Sequence, residues 1–216
     1  MIDIAVIRFN ERHVTTTNDA RTTLTDSTAL DSPEIWNPLW DGSTDIYAKY
    51  HLDELLRNYW QIYLDDVEEI NPFIEAGRRL FISSMDIIGS SYCDCDDTRR
   101  DDFYVQMIID MDKCKRRRTI KRKPRSYFGE VIFYFRHTQQ SLTKLVALVE
   151  VWEVELMVDG VPYQQRKFNH RYIVVSVGDI YSIAAIYTST YKRRCIVWPE
   201  MYGLDNKELG LLSDLY

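Results

Sequence analysis

The chain has 216 residues, with 33 acidic and 27 basic side chains and a formal charge of -6, which is enough for one or two domains with a real core. With 45% hydrophobic and 13% aromatic residues, and only eight Gly and six Pro, the composition excludes wholesale disorder, collagen-like repeats and low-complexity polymers. No apolar run approaches the roughly 18 residues of a membrane span, and Met1-Ile2-Asp3-Ile4 does not open a basic-then-apolar leader, so the expectation is an intracellular, soluble protein with no membrane partner.

In chain order, residues 1–46 read as an N-terminal extension, largely mobile. Ile4 to Phe9 suits one short docking strand. Residues 15–32 (TTTNDARTTLTDSTALDS) carry only Leu24 and Leu30 as large apolar side chains and read as a linker. Residues 47–79 form the helical segment. Leu52, Leu55, Leu56, Tyr59, Trp60 and Tyr63 recur at the spacing of an amphipathic helix, predicted over 47–65. Asp53 and Glu54 suit its first turns, and Asn71-Pro72 stops it. A second helix is expected from Pro72 to Arg79, with Gly77 weakening it.

After Arg79 the period changes from 3.6 to 2, and residues 80–205 read as a small antiparallel β-barrel, so the fold class is mainly β. Phe103, Val105, Met107 and Ile109 alternate with Tyr104, Gln106, Ile108 and Asp110, the pattern of a half-buried strand. Tyr127 to Arg136 and Leu142 to Glu155 are β-branched and aromatic, and read as an antiparallel pair. Asp159-Gly160 suits a two-residue type I′ hairpin turn, and Pro162 places the following strand at an edge. Tyr172 to Val177, Ile183 to Tyr187 and Arg194 to Trp198 supply three more strands. Residues 206–216 close the chain as a short helix or tail.

The sharpest feature is a charge run. From Lys113 to Arg125 nine of thirteen residues are basic (Lys113, Lys115, Arg116, Arg117, Arg118, Lys121, Arg122, Lys123, Arg125), leaving the rest of the chain 18 basic and 33 acidic side chains, a net of -15. Clustered exposed cations repel one another by roughly 1 kcal/mol per close pair. Such a run is therefore read as a phosphate-contacting loop or a nuclear-import signal before it is read as scaffold.

No catalytic signature accompanies it. Four cysteines are too few for a disulfide scaffold, Cys93 and Cys95 are spaced too closely for a zinc pair, and the four histidines show no ligand spacing, so neither metal nor cofactor is expected. Asp94, Asp96, Asp97, Asp101 and Asp102 invite a Mg²⁺-dependent nuclease reading, but they form one continuous stretch interleaved with Arg99 and Arg100 and read as a solvated loop. G-x-S-x-G, G-x-G-x-x-G and the phosphate-loop pattern are missing.

The run SYFGEVIFYFRHTQQSLTKLVALVEVW, then YIVVSVGDIYSIAAIYTS and IVWPEM, resembles the C-terminal BAH-like (bromo-adjacent homology) region of proteins encoded by fungal DNA transposons. The matching elements are Tyr127-Phe128-Gly129-Glu130-Val131, the strand ending in Trp152, and Val175, Val177 and Ile180. The resemblance implies a non-catalytic, transposon-derived nuclear module whose partner is a nucleosome, a histone tail or another protein, and the charge run adds DNA as a partner. The nine basic residues are the candidate nucleic-acid contacts. Tyr134, Trp152 and Trp198 are candidate peptide contacts through their ring faces. The alternatives are a protein-binding domain whose basic run is only an import signal, and a metal-dependent nuclease.

Overall fold

The computed structural model describes residues 29–30, 34–36, 44–64, 67–77, 79–81, 87–91, 103–112, 122–157, 161–164, 171–189, 193–197 and 209–210. Its elements are β1 (Ala29–Leu30), β2 (Glu34–Trp36), α1 (Thr44–Tyr50), α2 (Leu52–Trp60), β3 (Ile74–Gly77), β4 (Leu80–Phe81), β5 (Ile87–Ile88), β6 (Tyr104–Asp112) and β7 (Arg122–Gln139). There follow β8 (Leu142–Val151), β9 (Val154–Leu156), β10 (Pro162–Gln164), β11 (Arg171–Ser176), a 3-10 turn (Val177–Asp179), β12 (Ile180–Ile183), β13 (Ala185–Thr188) and β14 (Arg194–Val197). The fold is mainly β. A seven-stranded sheet is accompanied by a four-stranded sheet, β13-β14-β10-β9, and a small one, β1-β4-β5, and all strand pairs are antiparallel.

The 18-residue β7 organises the large sheet. Its first half pairs with β6 from Tyr104↔Glu130 to Asp112↔Arg122, and its second half pairs with β3 from Gly77↔Tyr134 to Ile74↔His137. On its other side β8 runs from Gly129↔Val151 to Gln139↔Leu142. β11 lies beyond β8 and β12 beyond β6, so the order across the middle is β11-β8-β7-β6-β12. In a flat sheet the outer two strands would stand about 19 Å apart. The 3-10 turn that joins them has three residues and rises only about 6 Å. The sheet must therefore curl.

The core records that curl. Val105 and Met107 of β6, Tyr127, Val131 and Tyr134 of β7, Ala147, Val149 and Val151 of β8, Val175 of β11, Val177 of the turn and Ile180 of β12 share one buried cluster with Leu80 and Ile88. The three residues Val175, Val177 and Ile180 thus line the bend between the two flanks. No pairing joins β11 to β12 among the described residues, so the expected barrel is curled but not closed by hydrogen bonds.

β7 keeps its inward alternation only by skipping a residue. The pairing with β8 shifts between Val131 and Phe133, making Ile132 the extra residue of a bulge. Val131 and Tyr134 then point into the inner cluster while Ile132, Phe133 and Phe135 point outward. The outward face is covered by the helices, where Leu52, Leu56, Tyr59 and Trp60 pack against Ile74, Phe133, Phe135, Val146 and Leu148. A third cluster, Phe128, Trp152, Val154, Ala184, Ile196 and Leu209, lies between the large sheet and the four-stranded one.

Several expectations are corrected. The helix over 47–65 is two helices, broken at His51, whose φ of 50° is left-handed, and its last apolar position, Tyr63, is 42% exposed. Where a helix is expected from Pro72 to Arg79 the chain forms β3 over Ile74–Gly77, because Ile74 and Ala76 bury one face of it between β2 and β7, and pairing on both edges outweighs local helix propensity. The strand expected at Ile183 to Tyr187 is split into β12 and β13 at Ala184, whose N–H turns to the Tyr104 carbonyl.

The hairpin after β9 is present, but Pro162↔Leu156 and the Met157 N–H to Val161 carbonyl bond leave three residues, 158–160, between its arms rather than two. β10 is an interior strand, not an edge. Pro162 is tolerated because it is the first residue of β10, and only Tyr163 pairs with β14. Within the extension, β1 pairs with β4 and β2 pairs with β3. Leu209 bridges Ser126 in parallel fashion. The strand expected at 4–9, the rest of the linker and the rest of 206–216 lie outside the described residues.

Candidate functional site

The register locates the charge run. Asp112 is opposite Arg122, so the nine residues 113–121 connect the two arms of the β6–β7 hairpin. β12 reaches β6 only at Val105, Gln106 and Met107, and β8 reaches β7 only from Gly129 onward. Ile108–Asp112 and Arg122–Ser126 therefore form a two-stranded ribbon of about 16 Å. On its flanks the one strand contact among the described residues is the Ser126↔Leu209 bridge.

Of the nine candidate contacts, Lys113, Lys115, Arg116, Arg117, Arg118 and Lys121 lie outside the described residues, and Arg122 and Lys123 are placed on the backbone of β7. Arg125 is the exception. It is half-buried, its Nη1 donates to the Leu209 carbonyl at 3.0 Å, and its Nε is buried with no partner among the described residues. Beside it the Gly210 N–H donates to the Ser126 carbonyl at 2.9 Å. One cation of the run is thus tied to the C-terminal segment, an arrangement that no spacing in the sequence announces.

Under the base of the ribbon lies a buried polar row. Ser182 Oγ donates to Gln106 Oε1 at 3.0 Å, and Gln106 Nε2 donates to Ser126 Oγ at 3.3 Å, linking β12, β6 and β7. Gln106 was legible as the polar member of an alternating strand, but its burial at 3% exposure was not. A satisfied chain of this kind fixes register, since a slip would strand both ends.

The candidate peptide contacts do not assemble. Tyr134 is fully buried in the inner cluster, whereas Trp152 packs in the third cluster with its ring 5.2 Å from that of Tyr104. They share no cage, and Trp198 lies outside the described residues. On the four-stranded sheet Arg193 sits over the Tyr163 ring at 5.0 Å, while the Tyr163 hydroxyl donates to Glu155 and its pKa is raised, chiefly by that bond.

No group of three His, Cys, Asp or Glu side chains suited to a metal occurs among the described residues, and Asp94 to Asp102 lie outside them. No described helix is long and apolar enough to cross a membrane. Comparison with known proteins adds no relative: no family model, no curated protein and no solved structure matches the chain.

Proposed function

We propose that this chain is a non-catalytic nuclear module, transposon-derived, that binds duplex DNA or nucleosomal DNA through the basic end of the β6–β7 ribbon, with a BAH-like barrel as its platform. One observation carries this reading: Asp112 pairs with Arg122, which puts all nine cations on one arm and the connecting segment of a two-stranded ribbon. A two-stranded β-ribbon is admitted by the major groove of B-form DNA. The rest of the chain, at a net of -15, repels phosphate. The sequence thus confines its attraction to one projection, as a backbone-contacting element would require. The curled sheet and its shared core favour the barrel platform.

Sequence-independent contacts to phosphate make affinity fall with salt at about -0.9 in log-log slope for each phosphate neutralised. Replacing Arg116, Arg117 and Arg118 together with Ala is expected to weaken binding to mixed-sequence duplex DNA and to make the slope shallower by about two to three units. If the run were only an import signal, the triple variant would leave the nucleus while its salt slope stayed unchanged. A change in neither returns the run to a solvated loop and ends this proposal.

A further inference from the structure

We infer that Leu209–Gly210 is a releasable strap that withholds the Arg125 guanidinium from anions, and that lifting it adds one phosphate contact to the ribbon. The phosphodiester as the anion rests on the DNA-binding reading above; the strap itself does not. Its docking is defined by one backbone bridge, one side-chain bond and one buried side chain. Leu209 bridges Ser126, the Gly210 N–H donates to the Ser126 carbonyl at 2.9 Å, the Leu209 carbonyl accepts from Arg125 Nη1 at 3.0 Å, and the Leu209 side chain is buried in the cluster of Phe128, Trp152 and Ile196.

This arrangement serves Arg125 poorly. A guanidinium offers five donors in a planar fork that suits two oxygens of a phosphate at once. Here a neutral carbonyl takes Nη1, while Nε is buried without a partner among the described residues. A buried charged donor left unmet favours whatever state satisfies it. The docked strap is thus held against a standing preference of Arg125 for a better acceptor, and an anion supplies one once the strap lifts.

Gly210 gives the handle. A Cβ at this position would fall 2.2 Å from the Tyr127 ring, whose side chain is locked in the inner cluster. Gly210→Ala should therefore eject the strap while leaving the sheet intact, and Leu209→Asn should loosen it by a second route, through its apolar anchor. Two readouts on the full chain separate the claims, with far-UV circular dichroism confirming the fold. The first is modification of Arg125 by phenylglyoxal, followed by peptide mass spectrometry, with and without inorganic pyrophosphate. Arg125 is expected to react slowly in the parent chain, at least several-fold faster in either variant, and to be protected by pyrophosphate only in the variants.

The second readout is duplex DNA affinity against salt. Gly210→Ala should steepen the slope by about 0.9, so that the affinity lost between about 50 mM and about 200 mM salt grows roughly three-fold. Adding Arg125→Gln should restore the parental slope. Equal reactivity of Arg125 in parent and variants, or no pyrophosphate protection in any of them, would overturn the strap. Exposed Arg125 with an unchanged DNA slope would overturn the added phosphate contact. If no protein binds DNA while pyrophosphate protects Arg125 in the variants alone, the strap stands and the DNA-binding reading falls.

Discussion

From Tyr134 to His137, β7 is hydrogen-bonded on both sides, to β3 and to β8, and carries Phe135, next to Phe133 just before it, into a core beneath two helices. From Arg122 to Ser126 the same strand has β6 on one side and, among the described residues, a single bridge to Leu209 on the other. One half is a stave of the sheet, held by packing; the other is an arm, held mainly by ladder bonds. Local opening follows buried apolar contact and the number of backbone bonds lost, so the arm should open at far lower free energy than the stave. The proposed contact surface thus sits on the half that can adjust, with rigidity supplied by the half that cannot.

The comparison is broken most severely in the stave. Phe133 is fully buried with its ring 5.4 Å from that of Phe135, so Phe133→Ala should destabilise the chain by about 3–5 kcal/mol, read as a lowered urea midpoint. At the junction, a Cβ on Gly129 would lie 2.4 Å from the Glu150 carbonyl oxygen and 2.8 Å from Val149 Cγ1. That oxygen belongs to a paired backbone and cannot swing away. Gly129→Ala is therefore expected to cost about 1–3 kcal/mol of thermal stability.

A pH test sharpens the difference further. Trp60 Nε1 donates to His137 Nδ1 at 2.7 Å, which leaves Nε2 to donate to the Asn71 carbonyl at 2.8 Å and fixes a neutral ring. Burial pushes the His137 pKa below its ordinary 6.5, opposed by the Asn71 bond. Below that ordinary value the unfolded chain binds the proton and the folded one resists it. The contribution is whole above about pH 6.5 and is lost on acidification at up to ~1.4 kcal/mol per unit, levelling off below the folded pKa. His137→Gln should flatten this slope in urea titrations across pH. The smallest effect belongs to the partly exposed Arg136–Glu75 pair, whose double-mutant cycle should return less than about 1 kcal/mol.

Much of this was legible where one residue pattern meets one environment. The alternation of Val105 and Met107 and the helical spacing of Leu52, Leu56 and Tyr59 led directly to buried faces. What depended on a distant partner was not legible. Residues 72–79 look helical until β2 and β7 claim both edges of β3, and the bulge at Ile132 is silent in a run where every residue is apolar. At the site, charge segregation marked the ribbon, since like charges within thirteen residues are visible without a fold. The tie between Arg125 and Leu209 spans 84 positions and joins a side chain to a backbone oxygen, which leaves no compositional trace.

The three residues Val177, Gly178 and Asp179 carry one more consequence, which concerns aggregation. A sheet flank is a row of unmatched amide and carbonyl groups, a template for pairing with another molecule. By spanning from β11 directly to β12, this short link brings the two flanks of the curled sheet together at one end. A foreign strand seeking either flank there meets the chain's own crossing, with Val177 plugged into the core beneath it. The protein guards its flanks at that corner by economy of connection, with α2 packed against β11 beside it.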